Sequence, residues 1–93
     1  MKILNLKGCN QVTSPSLIAL FSKLSLLQEL NLSDCGKGVS NDVMHAIAQS
    51  CPKLKIFYVA RCFEITGKGV KGIANMSLLE KLDLSGCKYL NDS

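Results

Sequence analysis

Hydrophobic and polar positions along this chain fall into one pattern, written four times. Leu4-Asn5-Leu6-Lys7-Gly8-Cys9 is followed by Leu30-Asn31-Leu32-Ser33-Asp34-Cys35, Phe57-Tyr58-Val59-Ala60-Arg61-Cys62 and Leu82-Asp83-Leu84-Ser85-Gly86-Cys87. In each copy an apolar residue, a free position, a second apolar residue and two further positions lead to cysteine. The cysteines at 9, 35, 62 and 87 stand 26, 27 and 25 residues apart. A fixed period in that range marks a solenoid of stacked coils.

Apolar residues alternate with free positions at the start of each copy, which predicts strands over Ile3–Leu6, Glu29–Leu32, Ile56–Val59 and Lys81–Leu84. After each cysteine comes a short polar turn, then Val12-Thr13, Val39-Ser40, Ile65-Thr66 or Leu90-Asn91. Thr13, Ser40, Thr66 and Asn91 are side chains suited to accept from the free N–H groups of a helix start, and are read as N-caps. Apolar residues then recur at helical spacing: Leu17, Leu20, Phe21 and Leu24; Val43, Ala46 and Ile47; Val70, Ile73 and Ala74. Pro15 falls in a first turn, where a missing N–H costs least, and Pro52 helps end the second helix. Gly67, Gly69 and Gly72 predict that the third helix is short, frayed or partly 3₁₀. An apolar pair three apart hands each helix to the next strand: Leu24 and Leu27, Cys51 and Leu54, Met76 and Leu79.

Strand, turn, helix and return therefore make one coil. The predicted fold is an α/β solenoid, a right-handed coil with a parallel sheet on the concave face and helices outside. Residues 1–93 form a single array of about three and a half repeats. The fourth coil stops at Asn91-Asp92-Ser93. The pattern thus predicts a piece of a longer array, or end faces covered by further repeats or another chain, since open strand edges invite pairing.

Leu-x-x-Leu-x-Leu-x-x-Cys, from Leu27 to Cys35 and again from Leu79 to Cys87, resembles the leucine-rich repeat. With cysteine last and about 26 residues per coil it resembles the cysteine-containing subtype. Val39-Ser40-Asn41-Asp42-Val43 with Ala46-Ile47-Ala48, and the handover Cys51-Pro52-Lys53-Leu54, fit that subtype too. The resemblance covers essentially the whole chain. It implies a protein–protein interaction module, as in F-box substrate receptors of cullin–RING ubiquitin ligases, where the horseshoe holds the substrate. Mitotic-exit regulators and assembly factors without an F-box are similar, so a non-enzymatic scaffold docking through its ends is the alternative. This sequence carries no F-box segment.

Composition narrows the partners. A hydrophobic fraction of 47% with no Trp suits stacked aliphatic layers. The net charge is +4, but the lysines are scattered, whereas nucleic-acid binding calls for a patch or stripe, so no nucleic-acid partner is expected. No stretch approaches the roughly 20 apolar residues of a membrane helix, so no membrane partner is expected either. Five cysteines, four of them explained by the repeat, argue for a reducing compartment, cytoplasmic or nuclear.

A column of four cysteines could be a metal or redox ladder. Stacked parallel strands set neighbouring positions about 4.8 Å apart, yet parallel side chains leave their Cβ atoms beyond the preferred ~3.8 Å of a disulfide. Zinc sites pair ligands a few residues apart, not a coil apart. Each cysteine is therefore read as a buried thiol at a bend, bonding weakly to nearby backbone, and Cys51 as core. His45, the single histidine, falls on or near the solvent side of its helix. Gly67-Lys68-Gly69 lacks the strand context and spacing of a phosphate loop. No active site and no cofactor are expected.

What remains is the inner face, whose columns run Ile3, Glu29, Ile56, Lys81; Asn5, Asn31, Tyr58, Asp83; Lys7, Ser33, Ala60, Ser85; and Gly8, Asp34, Arg61, Gly86. The predicted partner-binding residues are Glu29, Asn31, Asp34, Ile56, Tyr58, Arg61, Lys81 and Asp83. Tyr and Arg are frequent hot-spot types, which singles out Tyr58 and Arg61 with Ile56 beside them.

Overall fold

The computed structural model describes residues 1–91. Strands β1 (Ile3–Asn5), β2 (Glu29–Asn31), β3 (Ile56–Tyr58) and β4 (Lys81–Asp83) form one sheet in sequence order. Every pair is parallel, and Leu4, Leu30, Phe57 and Leu82 stand in one register row. Each strand ends one residue earlier than the alternation predicts, but the ladder does not stop there. Leu6 N–H donates to Asn31 O at 2.8 Å, Leu32 N–H to Tyr58 O at 2.7 Å and Val59 N–H to Asp83 O at 2.9 Å.

Helices α1 (Ser14–Phe21), α2 (Asn41–Ser50) and α3 (Gly67–Ala74) pack side by side outside the sheet. Thr13 caps α1 through a capping box with Ser16, and Thr66 accepts from Lys68 N–H at the start of α3. Ser40 holds the N-cap position of α2 without a side-chain bond to the helix; its hydroxyl meets that of Ser14 at 3.0 Å, in the coil before. Asn91 lies in a turn, and the helix it would cap falls outside the described residues. A 3₁₀ turn over Gly36–Gly38, absent from the sequence expectations, enters the second coil. Its Gly38 passes so close to Val12 that a Cβ there would meet Val12 O at 2.3 Å.

The glycine-rich third helix is regular α-helix over eight residues, as long as α1, rather than frayed or 3₁₀. A Cβ on Gly69 would meet Asn41 Oδ1 at 2.5 Å, and one on Gly72 would meet the His45 ring at 2.3 Å. Glycine is spent here on closeness to α2, and burial holds the helix where propensity would not. The handover pairs are i→i+3 turns: Leu27 N–H donates to Leu24 O, Leu54 N–H to Cys51 O and Leu79 N–H to Met76 O.

The core runs between the two layers as one cluster. Phe21, Leu27, Leu30, Leu32, Val43, Ile47, Leu54, Phe57, Val59, Ile65 and Ile73 are fully buried in it. Cys35, Cys51, Cys62 and Cys87 join them, but Cys9 is exposed, against the expectation of a buried thiol at every bend. The covering group is the preceding coil. Cys35 Sγ donates to Leu6 O at 3.0 Å, Cys62 to Leu32 O at 3.3 Å and Cys87 to Val59 O at 3.2 Å. Among the described residues no such carbonyl meets Cys9.

Candidate functional site

The inner face is organised by register. Ile3, Glu29, Ile56 and Lys81 lie side by side across the four strands, as do Asn5, Asn31, Tyr58 and Asp83. Ile3 is 64% exposed, whereas Glu29 and Ile56, flanked by strands on both sides, are half-buried. The third column is not a surface in the two inner coils: Ser33 and Ala60 are buried, sandwiched between neighbouring coils, while Lys7 and Ser85 are exposed.

In the second column three members are turned onto their own chain. Asn5 Oδ1 accepts from Lys7 N–H at 3.0 Å, Asn31 Oδ1 from Ser33 N–H at 3.0 Å and Asp83 Oδ1 from Ser85 N–H at 2.9 Å. These are turns in which a short polar side chain replaces a backbone acceptor. The Ser85 bonds are the main reason the Asp83 carboxyl titrates below its usual value, with Arg61 and Lys81 adding to it. Asn31 and Asp83 are thus held by structural bonds through one oxygen each. Tyr58 is the member of the column with no such commitment, and Lys81 reaches over its ring, Nζ 5.2 Å from the centroid. An exposed cation over an aromatic face contributes about 0.5–1 kcal/mol.

The fourth column has one backbone state in all four coils. Gly8 at φ 80°, Asp34 at 60°, Arg61 at 56° and Gly86 at 74° are all left-handed. The position turns each strand towards its cysteine, and glycine adopts it freely. A non-glycine residue there costs roughly 1–2 kcal/mol. Asp34 is among the less penalised types; Arg61 is not. The two are clamped together, Arg61 Nε to Asp34 Oδ1 at 2.7 Å and Arg61 Nη2 to Asp34 Oδ2 at 2.8 Å. Side-chain exposures of 48% and 36% leave this fork open to solvent. The Arg61 bond holds the Asp34 carboxyl below the usual range, and the same bond raises the guanidinium. Gly86 is fitted to the fork, since a Cβ there would come within 2.7 Å of Arg61 Cγ.

A second cation–ring pair escaped the sequence reading. Lys88 Nζ stands 4.9 Å from the centroid of Phe63, an exposed ring immediately after Cys62. Its signal was available: the same position in the other coils carries Asn10, Gly36 and Lys88. At three positions outside the core the third coil therefore carries a larger side chain than its copies: Tyr58, Arg61 and Phe63. The eight predicted residues lie on, or just after, adjoining strands of the sheet face and are linked by several separate contacts. Asp34 joins Arg61, Tyr58 joins Lys81, Asp83 lies within electrostatic reach of Arg61 and Lys81, and Glu29 neighbours Ile56 in register.

Other chemistry-bearing groups lie in the core or on the helices. Burial pushes the Cys51 and Cys62 thiols up from 9.0 to about 11 and raises Cys35 as well. Among the described residues no three His, Cys, Asp or Glu side chains are grouped to hold a metal ion. His45 is exposed, its Nε2 3.1 Å from Lys68 O across the α2–α3 contact. No helix among the described residues is long and apolar enough to cross a membrane.

Residues 75–93 match a family model described as Leucine Rich repeat. F-box/LRR-repeat protein 12 of Arabidopsis thaliana is 36% identical over 85 residues, which is 90% of this chain and 21% of that protein. F-box/LRR-repeat protein 4 of Bos taurus is 34% identical over 85 residues, 89% of this chain and 14% of that protein. The chain thus spans a minor part of either relative. Among solved structures, actin-binding site 2 of leiomodin-1 superposes with a TM-score of 0.79, covering 100% of this chain and 58% of that one. At 16% identity that likeness is one of fold alone.

Proposed function

We propose, for a chain that is a cysteine-containing leucine-rich repeat protein resembling the repeat region of F-box/LRR-repeat proteins, that its sheet face recognises the substrate of a ubiquitin ligase. A leucine-rich repeat array is a protein–protein interaction module; the face, the ligase and a cytoplasmic or nuclear setting are the proposal. The observation that carries it is Arg61. A long cation occupies a left-handed backbone position that two other coils give to glycine, and a bidentate fork holds it open to solvent. Strain of this kind persists where function maintains it. Tyr58 and Lys81 extend the same surface, and recognition needs no bond making: it works by side-chain complementarity on a rigid face.

The test places a photo-crosslinking residue at position 58 or at Gln49 on α2, within the full-length protein in cells. The expected result is a partner captured from position 58 alone, whose ubiquitylation falls at least tenfold in Tyr58→Ala/Arg61→Ala. Equal capture from Gln49, or ubiquitylation that ignores the double substitution, overturns the proposal. The scaffold reading would set the half-buried Leu4, Leu6, Leu82 and Leu84 against another chain. It expects crosslinks from Ile3 or Leu82 instead of position 58.

A further inference from the structure

The backbone amide two residues after the second-column position donates to a side chain in every coil, and in the buried Ser33 and Ala60 it has no water to turn to. Lys7, Ser33 and Ser85 N–H donate to the side chains of Asn5, Asn31 and Asp83. Tyr58 cannot accept in that way, because its hydroxyl lies at the far end of a ring. Ala60 N–H is buried, so leaving it bare would carry the full desolvation cost of a lost bond. Its acceptor comes instead from the coil before: Ser33 Oγ, at 3.0 Å, from a residue that is itself buried.

We infer that Ser33 is the positioning residue that permits an aromatic reader at position 58. By meeting the Ala60 amide from outside, it releases the second column of the third coil from the Asn/Asp requirement that binds the other three. The rule extends along the array: a coil can present a bulky side chain in this column only when the preceding coil carries a hydroxyl in the third. In this chain Ser33 sits ahead of Tyr58, whereas Lys7 sits ahead of Asn31 and Ala60 ahead of Asp83. The inference rests on the reading of Tyr58 as a partner contact for its purpose, but not for its test.

That test is a substitution cycle on the 93-residue chain, read by exchange of the Ala60 amide and by denaturation midpoint. Ser33→Ala is expected to speed Ala60 exchange roughly ten- to a hundredfold, as the loss of one buried bond requires. Tyr58→Asn added to Ser33→Ala should bring exchange back to within about threefold of the parent, since Asn can accept from Ala60 as Asn31 does from Ser33. Ile56→Asn in the same background should leave it fast. Should Ser33→Ala fail to fold, the double variant is expected to fold cooperatively. A double variant that is unfolded, or no better protected than Ser33→Ala, overturns the inference. A transplant tests the rule elsewhere: Asp83→Tyr should expose the Ser85 amide, and Ala60→Ser should restore it. Failure of that rescue sinks the rule as well. Loss of partner binding in Tyr58→Asn with the exchange cycle intact bears on the recognition face alone.

Discussion

Arg61 holds two opposed energies in one residue. Its φ of 56° costs roughly 1–2 kcal/mol relative to glycine. Its pair with Asp34 is open to solvent and returns little of that. Arg61→Gly should therefore leave stability unchanged or raise it by up to about 1 kcal/mol, while partner binding falls at least tenfold. Urea denaturation beside a binding titration checks both halves. A clear loss of stability would mean that the fork holds the fold rather than serving the partner. The fork was half legible in the sequence: Asp34 and Arg61 occupy the same column of adjacent coils, so proximity followed from the period. The backbone strain did not, because only two of the four members are glycine and neither Asp nor Arg announces a left-handed position.

At the scale of elements, the third helix is where local preference and packing disagree. Gly69 faces the side chain of Asn41, which is itself fixed by two bonds, Nδ2–H to Thr66 Oγ1 and Oδ1 from Thr66 N–H, each 2.9 Å. Gly69→Ala has to displace a side chain that cannot yield without losing both, so it should cost about 1–3 kcal/mol despite alanine's better propensity. Gly72 faces the exposed His45 ring, which can swing into solvent at the expense of one bond to Lys68 O. Gly72→Ala should thus be within about 0.5 kcal/mol of neutral, helix propensity offsetting the lost contact. Thermal denaturation of the two variants decides the matter, and equal effects would contradict the packing account. Glycine count alone pointed towards fraying, since the neighbours that these glycines approach lie a full coil away in the chain.

For the whole molecule, the thiols tie stability to alkaline pH. Cys51 and Cys62 titrate near 11 in the fold against 9.0 when free, and Cys35 is raised too, all chiefly because burial disfavours the thiolate. A folded pKa above the unfolded one means that the unfolded chain gives up its proton first. Stability is therefore complete below about pH 9 and declines as pH rises towards about 11. Denaturation midpoints at about pH 8 and pH 10.5 should show this fall, and Cys62→Ala should lessen its slope. In the native protein at about pH 8 one thiol, Cys9, should react rapidly with a thiol reagent, whereas all five react after unfolding. A flat pH profile, or rapid reaction of the buried thiols, would show that the coils open far more readily than their packing implies.

The period, the alternation within each copy and the polar residue before each helix determined the coil, the order and register of the strands, and the helices outside them. Those are local or repeated features, and stacking identical units leaves little else to choose. What lies between the coils was decided only by the tertiary structure: which thiol is covered, which third-column residue is buried, why Gly69 must be glycine, and how the Ala60 amide is met by Ser33. Each of these depends on an atom 25 to 30 residues away. A residue's own neighbours in sequence carry no record of what the adjacent coil places against it.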